Sequence, residues 1–379
     1  EKSIGFAQRF DSLRKHMAQK GMQYVLVLPG HNFRYLTGLN FDPLERISFL
    51  LLGSEQGDDY LFLPKVESSR VETLRRLNLD FHVFLWSDET GPQHELDKLR
   101  NAIGQSEAVI GVEYNTMTLG KKKTLAPLLE KARIADATGI FSRLRLIKDS
   151  QEIEQFTQAN TISDTALQNV IQRLKPGMTE VEIANQLKIE LLKLGSEALP
   201  VEFKPIVATG ANAANPHTRA SDTPIAPGQT LLIDTGACWE GYAIDITRTF
   251  LLSPVVSEIE TIYTTVLAAN EAALKKIAPG VTPEQLDQEA RAVITQSGYG
   301  EYFVHRTGHG IGLEEHEPPW IVEGNTEPLE PGMVFTIEPG IYIPGFAGVR
   351  IEENVLVTEH GSRLITQYPK ILDDVLVKL

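Results

Sequence analysis

A short motif that occurs twice constrains the fold of this 379-residue chain more than any other feature of its sequence. Lys175-Pro-Gly-Met-Thr-Glu-Val-Glu resembles Ala278-Pro-Gly-Val-Thr-Pro-Glu-Gln, and each copy ends one helical pattern and begins another. The Thr of each copy lies three residues before Glu or Gln, which predicts a capping box at the start of the second helix. The predicted boxes pair Thr179 with Glu182 and Thr282 with Gln285. Pro283 suits the first position of its helix.

An acidic residue follows each copy of the motif at nearly the same distance along the chain. Asp234 lies 58 residues after Pro176. Glu338 lies 59 residues after Pro279. Each half therefore contains a helix, a Pro-Gly turn, a second helix and a β-hairpin. This duplication predicts an α+β domain with pseudo-two-fold symmetry, in which the acidic residues of the two hairpins converge at the centre.

The first predicted hairpin spans residues 231–252, with a tight turn at Trp239-Glu240-Gly241. Asp234 lies six residues before Glu240, the centre of that turn, and Asp245 lies five residues after it. We therefore expect Asp234 to lie directly opposite Asp245, on the same face of the hairpin.

The second predicted hairpin joins the apolar, β-branched runs 334–343 and 349–358 through Pro344-Gly-Phe-Ala-Gly. Folded about Gly345, it places Glu338 opposite Glu352. Because directly opposed like charges destabilise a sheet, two hairpins with this arrangement indicate that a cation lies between the carboxylates.

Five side chains in this repeated frame are candidate metal ligands. They are Asp234, Asp245, His309, Glu338 and Glu352. Four carboxylates and one imidazole cannot share a buried site unless cations neutralise them. Two divalent ions would do so, and such a pair is a known means of activating water.

Composition excludes several other classes of protein. The net charge of −14 disfavours a nucleic-acid partner, which requires a basic surface. No apolar run approaches the length of a transmembrane helix, so we expect no membrane partner. Cys238, the only cysteine, excludes an intramolecular disulfide and suits a reducing compartment. With no signal-like stretch after Glu1, these features predict a cytoplasmic protein.

The sequence also predicts two domains. Residues 1–135 alternate helical and strand-like patterns, which is typical of a small α/β domain. Strands are predicted at Tyr24-Val-Leu-Val-Leu, Ile47-Ser-Phe-Leu-Leu-Leu, Tyr60-Leu-Phe-Leu and Ala108-Val-Ile-Gly-Val-Glu, and helices at 6–20, 71–77, 94–103 and 124–132. Residues 136–149 form the predicted connection. Asp149 and Glu152 then predict a capped helix that opens the second domain, residues 150–379, which carries all five candidate ligands.

The ordered motifs resemble those of the pita-bread metallopeptidases, which include Xaa-Pro aminopeptidases, prolidases and methionine aminopeptidases. They are Asp-x-Gly, Gly-Tyr-x-x-Asp-x-Thr-Arg, Gly-His-Gly-Ile-Gly, Glu-Pro-Gly and Val-Arg-Ile-Glu. Asn32-Phe-Arg-Tyr-Leu-Thr-Gly also resembles the creatinase-type N-terminal domain of the proline-specific branch. The resemblance implies a C-terminal pita-bread domain with pseudo-two-fold symmetry and a smaller creatinase-like α/β domain at the N-terminus.

The resemblance also implies metal-binding roles for the five candidates, position by position. Oxygen-rich coordination with one imidazole favours Mn²⁺, with Co²⁺ and Zn²⁺ as alternatives. The two metal ions would lower the pKa of a bridging water and polarise the scissile carbonyl. Glu338 is expected both to bind metal and to accept a proton from that water.

Three histidines near the motifs match family histidines that act on the substrate. By resemblance, His217 and His316 donate hydrogen bonds to the substrate carbonyl and the tetrahedral oxyanion, and help to move protons. His305 is expected to line the substrate pocket. We treat His217, His305, His316 and Glu338 as the catalytic candidates, with a purely structural role as the alternative for each histidine.

Four further residues are candidates for substrate binding. Arg350 lies two residues before Glu352, on the same face of a predicted strand. It could steady the ligand carboxylates, bind a substrate carboxylate or form a plain salt bridge. Phe203, Tyr242 and Trp320 could supply an apolar wall for a proline ring, and core packing is the alternative for each.

The function implied is that of a dinuclear metal-dependent peptidase, which hydrolyses the bond between an N-terminal residue and proline by attack of a metal-activated hydroxide. Its substrates would be Xaa-Pro dipeptides or longer peptides with proline second, and the sequence leaves this choice between prolidase and aminopeptidase P open. The alternatives are another pita-bread hydrolase or lyase that acts on a non-peptide substrate, and a non-catalytic binding homologue. The resemblance also implies a homodimer.

Overall fold

The structure, a computed structural model, describes residues 2–55, 57–104, 107–197 and 205–379. Phe203 therefore lies outside the described residues. The chain divides into two compact units, Glu1–Arg145 and Leu146–Leu379. The division falls inside 136–149, the segment expected to connect two domains, and most of that segment is helical. Among the described residues, no helix has both the length and the apolar character that a membrane span requires.

The N-terminal unit is a six-stranded mixed sheet with helices. Its helices are α1 (Lys2–Gln19), α2 (His31–Thr37), α3 (Ser69–Arg76), α4 (Gln93–Ala102), α5 (Leu119–Thr124), α6 (Ala126–Leu129) and α7 (Thr138–Leu146). Its strands are β1 (Tyr24–Val27), β2 (Phe49–Gly53), β3 (Asp59–Pro64), β4 (His82–Trp86), β5 (Val109–Val112) and β6 (Arg133–Asp136), in the order β4-β3-β2-β1-β5-β6. The rings of Phe49 and Phe62 stack in its core with centroids 4.8 Å apart.

The four strands predicted in this unit are confirmed as β1, β2, β3 and β5. Strands β4 and β6 were not predicted; they form the two edges of the sheet, and most of their residues are exposed or half-buried. The helix predicted over 124–132 is wrong in extent, because helix α5 ends at Thr124 and α6 covers only Ala126–Leu129.

The C-terminal unit contains the two predicted repeats. Its helices are α8 (Ser150–Ile171), α9 (Glu180–Lys193), α10 (Ser257–Lys276) and α11 (Pro283–Gln296). Its strands are β7 (Ile206–Thr209), β8 (Thr230–Trp239), β9 (Tyr242–Leu252), β10 (Gly308–Gly310), β11 (Glu317–Ile321), β12 (Val334–Ile337), β13 (Gly340–Ile343), β14 (Ala347–Arg350), β15 (Glu353–Thr358), β16 (Gly361–Leu364) and β17 (Leu376–Val377). They form sheets in the orders β17-β9-β8-β7, β11-β10-β12-β15-β16 and β13-β14.

Short 3₁₀ segments occur in both units, at Lys65–Glu67, Gly210–Ala214, Gly300–Tyr302 and Leu372–Val375. The predicted helix starts are confirmed, since capping boxes begin α8, α9 and α11, and Pro283 occupies the first turn of α11. Gly177 and Gly280 occupy equivalent places in the two Pro-Gly turns, with φ of 81° and 86°. A left-handed backbone suits glycine, which explains why both copies retain it.

The first hairpin has a different register from the one predicted. Trp239 pairs with Tyr242, so the turn contains two residues, Glu240 and Gly241, both with positive φ. Asp234 consequently pairs with Thr247, while Asp245 pairs with Gly236. The expected direct opposition of Asp234 and Asp245 is wrong. The shift is two residues, and because strand faces repeat every two residues, both acids still lie on one face.

The second hairpin has the predicted register, but its ladder is interrupted. Ile337 pairs with Glu353 on one side of the gap, and Gly340 pairs with Arg350 on the other. Glu338 and Glu352 lie in the gap between these two ladders. The amide of Asn270 on α10 donates to the carbonyls of Ile337 and Ile351, which replaces part of the lost ladder.

Candidate metal centre

Three buried residues from three different strands or strand ends form the centre of the carboxylate cluster. Asp245 comes from β9, His309 from β10 and Glu352 from the gap before β15. Their ligand atoms all lie within 4.8 Å of one another, and all three residues are at least 95% buried. A cation at this position would contact two carboxylates and one imidazole.

The orientation of the His309 ring is suited to metal binding. Its Nδ1–H donates to the carbonyl of Gly310 at 3.0 Å, so Nε2 carries the lone pair. Nε2 lies 3.4 Å from Oε1 of Glu338 and 3.8 Å from Oδ2 of Asp245. A lone pair directed at two carboxylates is repulsive unless a cation lies between them.

Two buried carboxylate oxygens of the cluster have no hydrogen-bond partner among the described residues. They are Oδ1 of Asp245 and Oε1 of Glu352. The second oxygen of Glu352 accepts a hydrogen bond from the Thr247 hydroxyl at 2.7 Å, which fixes the orientation of the carboxylate. Unpartnered buried carboxylate oxygens are costly, and a bound cation would satisfy both of them.

Burial and mutual repulsion shift the pKa values of the cluster. Burial, followed by repulsion from neighbouring carboxylates, raises the pKa of both Asp245 and Glu352 well above the ordinary values. Burial raises the pKa of Glu338 to about 7. Burial lowers the pKa of His309 well below its ordinary value, which keeps the imidazole neutral. These residues therefore fit a divalent cation, which would stabilise the ionised carboxylates.

Asp234 and Glu338 are the less buried members of the five candidates. Oδ2 of Asp234 accepts a hydrogen bond from Nη2 of Arg350 at 2.6 Å. Glu338 accepts one from the Thr336 hydroxyl at 3.3 Å. Asp234 is nevertheless close enough for its charge to contribute to the raised pKa of both Glu338 and Glu352, after the larger effect of burial.

Close backbone packing around His309 depends on glycine. A Cβ atom on Gly308 would lie 1.9 Å from the carbonyl oxygen of Thr336, and one on Gly310 would lie 2.1 Å from that of Pro318. No side chain fits at either position. The glycines therefore let β10 pass between β11 and β12 at the depth that places His309 in the cluster.

Arg350 is buried and its guanidinium is already engaged. Nη1 donates to the hydroxyl of Tyr342 at 2.8 Å, Nε donates to the hydroxyl of Thr247 at 3.0 Å, and Nη2 donates to Asp234. Of the roles considered for Arg350, this geometry favours the steadying of a ligand carboxylate.

The three remaining candidate histidines differ in their surroundings. The ring of His316 packs against the ring of His309, with centroids 4.2 Å apart, and the residue is otherwise exposed. His217 is exposed and lies in the loop after the 3₁₀ segment Gly210–Ala214. His305 has both ring nitrogens engaged, Nδ1 with the Arg306 carbonyl and Nε2 with the Tyr342 hydroxyl, each at 2.7 Å. Burial lowers the pKa of His305 to about 4, so its ring is neutral.

Two of the aromatic candidates are described, and they occupy different environments. Trp320 pairs with His309 across β10 and β11, and its half-buried ring carries the guanidinium of Arg306 at 4.4 Å. Tyr242 packs against α8, where its hydroxyl donates to Glu152 at 2.8 Å. Strand alternation places Tyr242 on the face opposite Asp245, so it belongs to the core beside α8 rather than to the cluster.

Sequence reasoning missed Tyr342 and Arg306. Tyr342 links His305 to Arg350, but in the sequence it is one apolar residue in a strand. Arg306 had a detectable signal, because it is a basic residue immediately before the glycine-rich segment that contains His309.

Comparison with known proteins assigns both parts of the chain to families. Residues 154–359 match the model of metallopeptidase family M24. Residues 9–147 match the model of the creatinase/prolidase N-terminal domain. Two domains of this kind confirm the pita-bread architecture with a creatinase-like N-terminal domain that the resemblance implied.

Individual relatives align over nearly the whole chain. An Xaa-Pro dipeptidase of Lactobacillus delbrueckii subsp. lactis is 35% identical over 97% of this chain and 99% of the relative. The crystal structure of recombinant prolidase from Thermococcus sibiricus matches with a TM-score of 0.90 and 36% identity, over 99% of each chain. The X-Pro aminopeptidase from Thermotoga maritima MSB8 matches with a TM-score of 0.83 and 32% identity, over 95% of this chain and 98% of that chain.

Proposed function

Because this chain belongs to metallopeptidase family M24, we propose that it is a metal-dependent peptidase that hydrolyses the bond between an N-terminal residue and proline. The observation that carries the proposal is the buried group of Asp245, His309 and Glu352, with its two unpartnered carboxylate oxygens. The names of its relatives, an Xaa-Pro dipeptidase, a prolidase and an X-Pro aminopeptidase, support proline specificity.

Membership of the family implies divalent metal ions, and we assign their ligands to the five cluster residues. These are Asp234, Asp245, His309, Glu338 and Glu352. Four carboxylates with one imidazole favour Mn²⁺, and Co²⁺ and Zn²⁺ are the alternatives. When bound, the metal ions supply Lewis acidity, which lowers the pKa of a bound water and polarises the scissile carbonyl.

Glu338 is the proposed proton acceptor. Its Oε1 lies 3.4 Å from Nε2 of the candidate ligand His309, so the carboxylate is close to the position at which an attacking water would bind. It takes the proton of the attacking water, and that proton reaches the proline nitrogen as the peptide C–N bond breaks. The exposed rings of His316 and His217 donate hydrogen bonds to the carbonyl oxygen as it gains negative charge. His305, with both nitrogens engaged, instead forms a fixed wall of the pocket.

The test is the hydrolysis of Ala-Pro, Ala-Pro-Ala and Ala-Ala by purified protein, before and after chelation and with Mn²⁺ restored. We expect release of alanine from at least one of the two proline peptides, loss of that activity on chelation, and its recovery with Mn²⁺. Ala-Ala should be a poor substrate. If metal-loaded protein cleaves neither proline peptide, the proposal is wrong, and a non-peptide substrate becomes the better assignment.

We also propose that the protein is a cytoplasmic homodimer. The family resemblance supports a dimer, and the buried free thiol of Cys238 is compatible with a reducing compartment. Light scattering should give twice the mass of one chain across a tenfold range of protein concentration. A mass equal to one chain would contradict the dimer.

A further inference from the structure

Arg306 differs from Arg350 and Arg291 in that its positive charge is not paired with a carboxylate among the described residues. Its guanidinium lies over the ring of Trp320, 4.4 Å from the ring centroid. Among the described residues, it forms no hydrogen bond or ion pair through its side chain. By contrast, Arg350 donates to Asp234, and Arg291 donates to Asp287. A half-buried guanidinium without an anion is an available anion-binding group.

The backbone around Arg306 is held firmly beside the metal centre. His305 Nδ1 donates to the Arg306 carbonyl at 2.7 Å, and the backbone N–H of Glu338 donates to the Thr307 carbonyl at 2.7 Å. The Thr307 hydroxyl donates to Asp287 on α11, also at 2.7 Å. Trp320, on which the guanidinium rests, lies directly across the sheet from His309. The position of the cation is therefore tied to that of a candidate metal ligand.

The charge of Arg306 also acts on the reacting groups. Burial raises the pKa of Glu338, and the charges of Arg350 and Arg306 are among the influences that oppose the rise. Desolvation lowers the pKa of His316, and the Arg306 charge lowers it further. Arg306 thus lies within electrostatic range of both the proposed base and a proposed oxyanion donor. A substrate held at the metal centre would meet this cation.

On the premise of the proposed function, we propose that Arg306 binds the α-carboxylate of an Xaa-Pro dipeptide and thereby selects dipeptides over longer peptides. In a dipeptide, the carboxylate is carried by the proline itself, one residue beyond the scissile bond. A guanidinium that lies over a ring and forms no side-chain hydrogen bond with the described residues keeps its N–H donors available for bidentate binding of a carboxylate. A longer peptide places a neutral peptide group there, which leaves the half-buried guanidinium without its anion.

The expected selectivity follows from the strength of such a contact. A hydrogen bond to a charged group contributes about 1.5–3 kcal/mol, which corresponds to roughly 10- to 150-fold in affinity. We therefore expect kcat/KM for Ala-Pro to exceed that for Ala-Pro-amide by at least about tenfold. The difference should lie mainly in KM, because the carboxylate is present in the ground state as well as in the transition state.

The experiment compares Ala-Pro with Ala-Pro-amide in the native protein, Arg306→Gln and Arg306→Lys, with the exposed Arg363→Gln as the control for loss of one positive charge. Arg306→Gln should raise KM for Ala-Pro by a larger factor than it changes KM for Ala-Pro-amide, and so remove the preference for the free carboxylate. Arg306→Lys should restore part of the preference, since it keeps the charge without the bidentate geometry. Arg363→Gln should behave as the native protein.

Binding of the product gives a readout independent of turnover. Calorimetry should show weaker binding of proline to Arg306→Gln than to the native protein, with binding of prolinamide unchanged. Thermal unfolding of each variant reports whether it folds. If folded Arg306→Gln keeps the native preference for Ala-Pro and for proline, the inference is wrong, as it also is if the native protein has no such preference. If neither peptide is cleaved but proline binding still depends on Arg306, the peptidase assignment fails and the carboxylate site stands.

Discussion

The two halves of the C-terminal unit share one frame but build their parts of the candidate site differently. In the first half, Asp234 and Asp245 lie on an unbroken antiparallel ladder that reaches a two-residue turn. In the second half, the ladder is broken, and Glu338 and Glu352 lie in the gap. A regular strand places alternate side chains on one face, whereas in the gap the backbone N–H groups of Glu338 and Glu352 donate to the carbonyls of Thr307 and Thr247. The first half thus supplies two acids on a continuous strand pair, and the second half supplies two acids from an interrupted one.

The halves also differ in how they hold the loops that carry histidines. In the first half, the buried carboxylate of Glu180 on α9 accepts hydrogen bonds from the backbone of Thr209 and Ser221 and from the side chain of Asn212. In the second half, Asp287 on α11 accepts hydrogen bonds from Arg291 and Thr307. Each anchoring acid comes from the second helix of its repeat, although at a different position along that helix.

The largest predicted effect tests whether the two halves are equally necessary for metal binding. Asp245→Asn changes the first half and Glu352→Gln the second, and each removes one negative charge with little change of shape. Since a bound metal ion contributes several kcal/mol to the transition state, we expect each variant to lose on the order of 1,000-fold in kcat/KM. Metal content, measured by elemental analysis, should fall in both. Glu258→Gln, on the exposed face of α10, is the control.

Loss of metal and activity in only one of the two variants would show that the two halves are not equally necessary. If Asp245→Asn keeps native metal content and turnover while Glu352→Gln loses both, the first half is only a scaffold. Retention of full activity by both variants would contradict the ligand assignment itself.

The second prediction concerns the stability of the metal-free protein as a function of pH. Burial raises the pKa of Glu338 to about 7, so the folded state holds its proton more tightly than the unfolded state. For an acid shifted in this direction, stability is greatest below the unfolded pKa and is lost as pH rises toward the folded pKa. We expect a loss on the order of 3 kcal/mol between about pH 4.5 and 7, as the shift implies. Denaturant unfolding of chelated protein measures it.

Two further samples sharpen this prediction. Glu338→Gln should weaken the pH dependence of the metal-free protein without abolishing it, because Asp245 and Glu352 also have raised pKa values. Saturating Mn²⁺ should also reverse the trend, because cations bind the ionised carboxylates. If the free energy of unfolding of the metal-free native protein is constant between pH 4.5 and 7, the cluster carboxyls do not have the raised pKa values on which this prediction depends.

The features of this site that local sequence patterns determine were predictable, and those that depend on exact strand pairing were not. The capping boxes of α9 and α11 were predictable because each is set by residues three apart. The shared face of Asp234 and Asp245 was predictable from strand alternation, but their exact partners were not. The predicted pairing centres the turn between Trp239 and Glu240, whereas the observed turn consists of Glu240 and Gly241, and the sequence pattern does not distinguish these two positions.

Features that depend on distant parts of the chain were not predictable. The gap at Glu338 requires the side chain of Asn270 on α10, 67 residues before Ile337, to donate to the Ile337 carbonyl. The engagement of Arg350 likewise depends on Tyr342 and Asp234, which local patterns treat as unrelated. Local rules therefore identified the candidate ligands. Tertiary contacts decide which of the neighbouring arginine side chains is available to bind a substrate.

The third prediction compares the anchors of the two histidine loops. Glu180→Gln replaces a carboxylate that accepts several hydrogen bonds by an amide. The NH₂ group of the amide would face the same N–H donors and cannot accept from them, so the loop that carries His217 should become more mobile. Asp287→Asn should do the same for the segment that carries His305. Because small misplacements of reacting groups are costly, we expect Glu180→Gln to lower kcat by about 10- to 100-fold. Asp287→Asn should act more on KM, since His305 forms a wall of the pocket.

Hydrogen exchange distinguishes positioning from general destabilisation. Exchange should increase at 209–223 in Glu180→Gln and at 303–307 in Asp287→Asn, and not in the opposite loop. Glu289→Gln, which removes a partly exposed ion pair with Lys276 on the surface of α11, serves as the control. If both anchor variants change exchange throughout the unit, their effect is one of overall stability.

The smallest predicted effect concerns the repeated helix caps. Thr179→Ala and Thr282→Ala each remove a side-chain acceptor from a capping box, at a cost of about 1 kcal/mol in the free energy of unfolding. The loss should be smaller for Thr282→Ala, because Pro283 already fixes the first residue of α11 in a helical conformation. Turnover should remain native in both, since neither helix start carries a candidate ligand. Urea denaturation of metal-free protein measures the difference. A larger loss of unfolding free energy in Thr282→Ala than in Thr179→Ala would contradict the stabilising role given to Pro283.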